Sequence, residues 1–174
     1  RDILARAGGE GRHVLDSILD VAGQRGTGQW AVQSAADLGA PATLAAEAVF
    51  ARALSARLDE RRTAAASLPG PAVAPPGDRS AFVADLQHAI QAAAIVGHAQ
   101  GFMLLRSGAE EHGWSFAYRA ISRTWRNGCI IRSRLLGEIE AAYARRGDLP
   151  TILLDDSFRA VLGACQGGWR RTVA

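Results

Sequence analysis

An all-α fold, several helices packed around one long central helix, is predicted by three observations. Ala, Leu, Arg and Glu recur at helical spacing in nearly every segment, and alternating β-branched stretches are missing. The stretch beginning at Asp78 or Ser80 and ending near Ser107 or Ala109 reads as one helix of roughly 25–30 residues. At 174 residues the chain matches the usual size of one domain. Residues 1–174 are therefore expected to form a single helical unit.

Taken in order, Gly11 precedes a short apolar stripe of Leu15, Ile18, Leu19 and Ala22. The run Gly23-Gln24-Arg25-Gly26-Thr27-Gly28 then interrupts any helix. Thr27 suits the N-cap of a helix from about Gly28 to Leu38, because its hydroxyl can accept from a first-turn amide, and Gly39 suits the stop. Pro41 and Thr43 open the next helix, with Leu44, Ala48, Ala51 and Leu58 along one side, and Leu68-Pro69-Gly70-Pro71 ends it. Four of the six prolines fall between Pro69 and Gly77, which makes that stretch a loop. In the long helix Phe82, Leu86 and Ile90 fall at i, i+4 and i+8, followed by the small residues Ala89, Ala92, Ala93, Ala94, Gly97 and Gly101. A helix apolar or small nearly all round is expected to be buried on all sides, with a neighbouring backbone close to Gly97 and Gly101. Gly113-Trp114 breaks the chain again, and helices are expected from about Ser115 to Thr124, Ile130 to Arg145, Asp155 to Gln166, and from Gly168 onward.

Composition excludes several classes of protein. With 48% hydrophobic and 21% charged residues the chain can bury a core, so wholesale disorder is excluded. No run approaches the ~20 apolar residues of a membrane span, and the opening Arg1-Asp2-Ile3-Leu4 lacks a signal-peptide layout, so a soluble, cytoplasmic protein is expected. The net charge of +3 comes from 20 basic residues, all Arg, scattered among 17 acids. Such interspersion is a compositional habit and not a nucleic-acid footprint. The pairs Arg61–Arg62, Arg145–Arg146 and Arg170–Arg171 read as solvated helix faces or ends. Cys129 and Cys165 lack paired metal spacing and suit buried free thiols.

The densest chemistry lies at Gly23-Gln24-Arg25-Gly26-Thr27-Gly28-Gln29-Trp30. Glycines expose backbone amides, a helix N-terminus adds partial positive charge, and Arg with Thr supplies directed donors, which together make an anion cradle. The same residue types also serve as a plain turn, a cap and a solvated Arg, and the spacing fits neither a P-loop nor a dinucleotide fingerprint. His13, His88, His98 and His112 have no neighbours at ligand spacing, so no metal is expected, and His98 reads as a packed residue with a satisfied nitrogen. Glu110–Glu111 and Asp155–Asp156 read as a helix end and a helix start, with Asp155 as cap, in preference to a catalytic carboxylate pair. The segment from Trp125 to Ser133 suits either helix start with core packing or a ligand pocket.

Several motifs, in order, resemble one family: the helical C-terminal domain of decarboxylating 6-phosphogluconate dehydrogenases. Gly-Gln-Arg-Gly-Thr-Gly at 23–28 is similar to its Gly-Gln-Lys-Gly-Thr-Gly motif, and Glu47-Ala48-Val49-Phe50-Ala51-Arg52 to its Glu-Ala-Val-Phe-Ala-Arg segment. Ala99-Gln100-Gly101-Phe102, Trp125-Arg126-Asn127-Gly128-Cys129-Ile130-Ile131-Arg132, Leu154-Asp155-Asp156 and Trp169-Arg170-Arg171 resemble further motifs across nearly the whole chain.

The resemblance implies 6-phosphogluconate as substrate and an NADP-dependent oxidation followed by loss of CO₂ to give ribulose 5-phosphate, without a metal. It implies a substrate-binding and dimerisation domain, working as a homodimer, in which Thr27 and Arg52 fall where the family binds the substrate phosphate. Arg25 stands at the motif's Lys and keeps its charge with a different geometry. The family's catalytic Lys and Glu and its dinucleotide domain match nothing here and are expected upstream, and its tail Arg and His beyond Ala174. Both ends are thus expected to be cut, leaving a part inactive by itself. The competing expectation is a free-standing, non-catalytic helical protein that binds a phosphosugar or a partner.

Overall fold

The structure, a computed structural model, describes residues 2–70 and 77–173. Among the described residues it is helical, with one isolated antiparallel bridge, Ala7 to His13, and no strand. A short α1 (Asp2–Ala5) and two 3₁₀ turns (Gly9–Gly11 and Val14–Ser17) lead into α2 (Thr27–Asp37), α3 (Thr43–Ser55) and α4 (Leu58–Ser67). The long α5 (Arg79–His112) follows, then α6 (Tyr118–Gly128), α7 (Arg134–Arg145), a 3₁₀ turn (Ile152–Leu154) and α8 (Asp156–Val173). The loop expected over Pro69–Gly77 falls mostly on residues 71–76, outside the described residues.

The central helix forms as its sequence dictates and runs longer than expected. Asp78 caps it, its Oδ1 accepting from the amides of Ser80 at 2.8 Å and Ala81 at 3.1 Å. It continues through Glu110 and Glu111 because Gly113, with φ +67°, is the first residue to supply a left-handed terminus. Its 34 residues span about 51 Å at 1.5 Å per residue.

The core gathers on the C-terminal half of α5. Ile95, Ala99 and Phe102 share one face and pack with Leu136, Ile139, Ala142 and Tyr143 of α7, with Leu149 and Ile152, and with Phe158 of α8. The Phe102 ring lies 5.3 Å from that of Trp125 and 5.2 Å from that of Tyr143. Burial is the main cause that pushes the Tyr143 hydroxyl up to about 12, keeping it protonated. Trp125 therefore belongs to the core.

The N-terminal half of α5 departs from the expectation of burial on all sides. On one face α8 lies close: Arg171 donates from Nε and Nη2 to the two Asp85 oxygens at 2.8 and 2.7 Å, and the Cys165 thiol to Gln91 Oε1 at 3.7 Å. That Arg171 hydrogen bond, more than any other cause, holds the Asp85 carboxyl below its ordinary value. On the other face Phe82, Leu86 and Ile90 are exposed, because no described helix packs there. Nor does a backbone approach the mid-helix glycines. A Cβ on Gly97 would meet only the end of Leu44 at 3.7 Å, and one on Gly101 nothing within 4 Å.

Other boundaries also differ from expectation. Leu15, Ile18 and Leu19 are exposed, so the early apolar stripe is not core. The expected helix over 43–68 divides into α3 and α4 at Ala56–Arg57, where the Ser55 carbonyl accepts from Arg61 Nη2 at 3.1 Å. Ala117 is still non-helical, so α6 starts at Tyr118 and not Ser115, and Cys129 and Ser133 are extended, so α6 ends at Gly128 and α7 starts at Arg134 and not Ile130. Gly167-Gly168 does not break α8, because Gly168 lets that helix pass directly over His88. Cys165 is buried as expected, whereas Cys129 is only half-buried. Asp155 caps α8 through Ser157 N at 3.1 Å and also receives both bonds of Arg145 Nη2, at 2.9 and 2.8 Å. The amide of Leu44 and the hydroxyl of Thr43, at the start of α3, are bound not locally but by Gln100 of α5, at 2.9 and 2.8 Å.

Candidate functional site

The anion-cradle residues come together on the described surface. A cleft of about 840 Å³ is lined by Gly23, Gln24, Arg25, Thr27 and Gly28 from the loop and first turn of α2, by Ala45, Ala48, Val49 and Arg52 from α3, and by Ile130. Arg25, Thr27 and Arg52 thus share one cavity although Arg52 is 27 residues from Arg25 in a different helix.

Local geometry explains the arrangement. Gly26 has φ +93°, a conformation that side chains resist, and this turns the chain sharply into α2. Gly26, not Thr27, is the N-cap; Thr27 is the first helical residue and makes no side-chain cap bond. That corrects the capping expectation and leaves the hydroxyl of Thr27, a residue lining the cleft, without a partner among the described residues. Gly28 brings α2 against α3, since a Cβ there would stand 3.0 Å from Val49 Cγ2. The Arg52 guanidinium donates from Nε to the Gly23 carbonyl at 2.7 Å, and Nη2 reaches the same oxygen. Its Nη1 has no hydrogen bond among the described residues, and Arg52 lines the cleft. Arg25 is exposed and forms no hydrogen bond or ion pair among the described residues. Two arginines and a threonine thus line one cleft beside the first turn of α2, whose amides have no intrahelical acceptor, and donors of these types suit a phosphate.

The remaining candidates are quieter. Among the described residues no group of three His, Cys, Asp or Glu could hold a metal ion. His98 Nδ1 donates to the Ala94 carbonyl at 2.8 Å, and its buried Nε2 has no partner, so only one of its nitrogens is satisfied. Glu110 and Glu111 lie in the last turn of α5, and Asp155–Asp156 at the start of α8, in structural roles. With no strand among the described residues, there is no strand–turn–helix to seat a dinucleotide pyrophosphate, and these residues do not fit that group. No described helix is long and apolar enough to cross a membrane. Four lining residues have no place at the cleft in the sequence reading: Ala45, Ala48 and Val49 come with the face of α3 that carries Arg52, and Ile130, 98% exposed, arrives from the α6–α7 connection, where no periodicity or spacing ties it to position 25.

An all-helical domain bearing a cationic cleft at a glycine-broken helix start is the class of protein that fold and site define. The family model described as 6-phosphogluconate dehydrogenase, C-terminal domain, matches residues 1–174, and the chain belongs to that family. It is 48% identical to the decarboxylating 6-phosphogluconate dehydrogenase of Ovis aries over 95% of its length, and 47% identical to enzyme 2 of that name from Saccharomyces cerevisiae over 100%. The chain spans 34% and 36% of those relatives, about a third of their length. A solved structure of the Plasmodium falciparum 6-phosphogluconate dehydrogenase, described in its apo form and in complexes with its cofactor NADP+ and its substrate 6-phosphogluconate, superposes with a TM-score of 0.90 at 31% identity. That match covers 99% of this chain and 38% of the other.

Proposed function

We propose that this chain is the substrate-binding and dimerisation domain of an NADP-dependent oxidative decarboxylase that converts 6-phospho-D-gluconate to D-ribulose 5-phosphate and CO₂. The observation that carries the reading is the convergence of Arg25, Thr27 and Arg52 on one cleft. In this reading Arg25 and the Nη1 of Arg52 grip the phosphate, the Thr27 hydroxyl donates to a third oxygen, and the α2 amides complete the cradle. NADP supplies the hydride acceptor and is held by protein outside the residues described. The domain works in a cytoplasmic homodimer, and the exposed Phe82, Leu86 and Ile90 face of α5 supports a covering partner surface.

A charge-assisted hydrogen bond contributes about 1.5–3 kcal/mol, which corresponds to roughly ten- to hundredfold in affinity. In the full-length enzyme Arg52→Ala is therefore expected to raise KM for 6-phosphogluconate by about that factor and to weaken competitive inhibition by inorganic phosphate equally. A KM within about twofold of the parent rejects the assignment.

A further inference from the structure

Between Ile18 and Gly26 the backbone has neither a helical nor a sheet ladder, yet this stretch delivers Arg25 and Thr27 to the cleft. Side chains from α3 and α4 hold it instead. Ser55 Oγ accepts from the Ala22 amide at 3.0 Å. Arg61 donates from Nη1 to Asp20 Oδ2 at 2.9 Å, and from Nη2 to the Asp20 carbonyl at 2.6 Å and the Ser55 carbonyl at 3.1 Å. Together with Arg52 on Gly23, three side chains form a row of fastenings from Asp20 to Gly23. Neither Ser55 nor Arg61 lines the cleft.

We infer that Ser55 and Arg61 are positioning residues for the phosphosugar site, acting through the Asp20–Gly23 backbone, an inference that rests on the reading of the cleft given above. The glycine-rich turn has few side chains of its own with which to hold a trajectory, so its N-terminal side takes its place from this row, as its C-terminal side does from Gly28 against Val49. Arg61 is not an ordinary surface cation: its side chain is only 29% exposed, and its buried Nε has no partner. The bonds it does make all end on Asp20 and Ser55 oxygens, which ties its placement to that of the stretch leading into the turn. A misplacement of about 1 Å at a binding group can cost as much as a hundredfold in rate.

The test is steady-state kinetics on the full-length enzyme carrying Arg61→Ala, Ser55→Ala or Ser55→Thr, alongside Arg52→Ala and Thr27→Ala. Arg61→Ala is expected to raise KM for 6-phosphogluconate and the inhibition constant of inorganic phosphate by about three- to tenfold, and Ser55→Ala by about two- to threefold. KM for NADP should stay within about twofold, which a general loosening of the fold would not allow. Ser55→Thr, which keeps the hydroxyl, should restore most of the affinity. If Arg52→Ala and Thr27→Ala raise KM while Arg61→Ala and Ser55→Ala leave it unchanged, or raise the NADP value by the same factor, the positioning role is overturned and the site reading stands. If none of the four moves KM, both fall.

Discussion

Gly168 and Gly101 sit in helices and look interchangeable by residue type, yet their surroundings give opposite signs to the same substitution. A Cβ on Gly168 would stand 2.6 Å from His88 Nδ1 and 3.0 Å from Asp85 Oδ1, so α8 would have to lift off α5. Gly168→Ala is expected to destabilise the chain by about 1–3 kcal/mol. On Gly101 a Cβ meets nothing within 4 Å, and Gly101→Ala should stabilise by about 0.5–1 kcal/mol through lost backbone freedom in the unfolded state. Thermal unfolding of the two variants checks both, and melting shifts of the same sign would contradict the packing. At this scale the sequence was informative about types but not about neighbours. The Thr27 hydroxyl, suited by type to a cap, is released for the cleft because Gly26 takes the cap position.

The start of α8 shows how an element is held by one side chain with two duties. Burial of Asp155 pushes its carboxyl up, but the hydrogen bond and charge of Arg145 and the amides of Ser157 and Phe158 together outweigh it, leaving the group below its ordinary value. An unfolded carboxyl titrates near about 3.9, so this stabilisation is fully present above that pH and is lost as pH falls through the lower folded value. Asp155→Ala should cost about 1–3 kcal/mol at neutral pH in urea unfolding, and the gap between variant and parent should close in acid. A gap independent of pH would point to packing alone. Elements announced by local signals were legible in the sequence: Asp78, one of two starts offered for α5, as its cap and Asp155 as the start of α8, whereas the end of α5 was set too early, at Ser107 or Ala109 and not at Gly113. Elements depending on a distant partner were not legible. The division of α3 from α4 follows from Ser55 and Arg61 reaching back to residues 20–22, and the unbroken α8 from Gly168 meeting His88. The site shows the same division: the order 23–28 marked a turn that lines the cleft, whereas the approach of Ile130 depends on tertiary packing that no local pattern encodes.

Across the whole molecule, the apolar interior and the cleft occupy different halves. The buried cluster is drawn from α5, α7, α8 and their connections, while α3 and α4 bury none of their described side chains fully. Local opening follows buried contact, so amide exchange should be slowest in the C-terminal half of α5 and in α7, and much faster in α3 and α4. Adding 6-phosphogluconate to the full-length enzyme should slow exchange chiefly at residues 20–30 and 43–61. Uniform protection across the chain would contradict this division. A cleft in the more weakly held half can adjust its walls to a ligand without disturbing the core. The polar link across that division, Gln100 of α5 binding Thr43 and Leu44, has a kinetic consequence. The start of α3 draws its hydrogen-bond partner from a residue more than fifty positions downstream, so it cannot be completed until the long helix has formed and that loop has closed. Refolding is therefore expected to complete the C-terminal half before the start of α3, so that the proposed phosphate cleft is the last part to take shape.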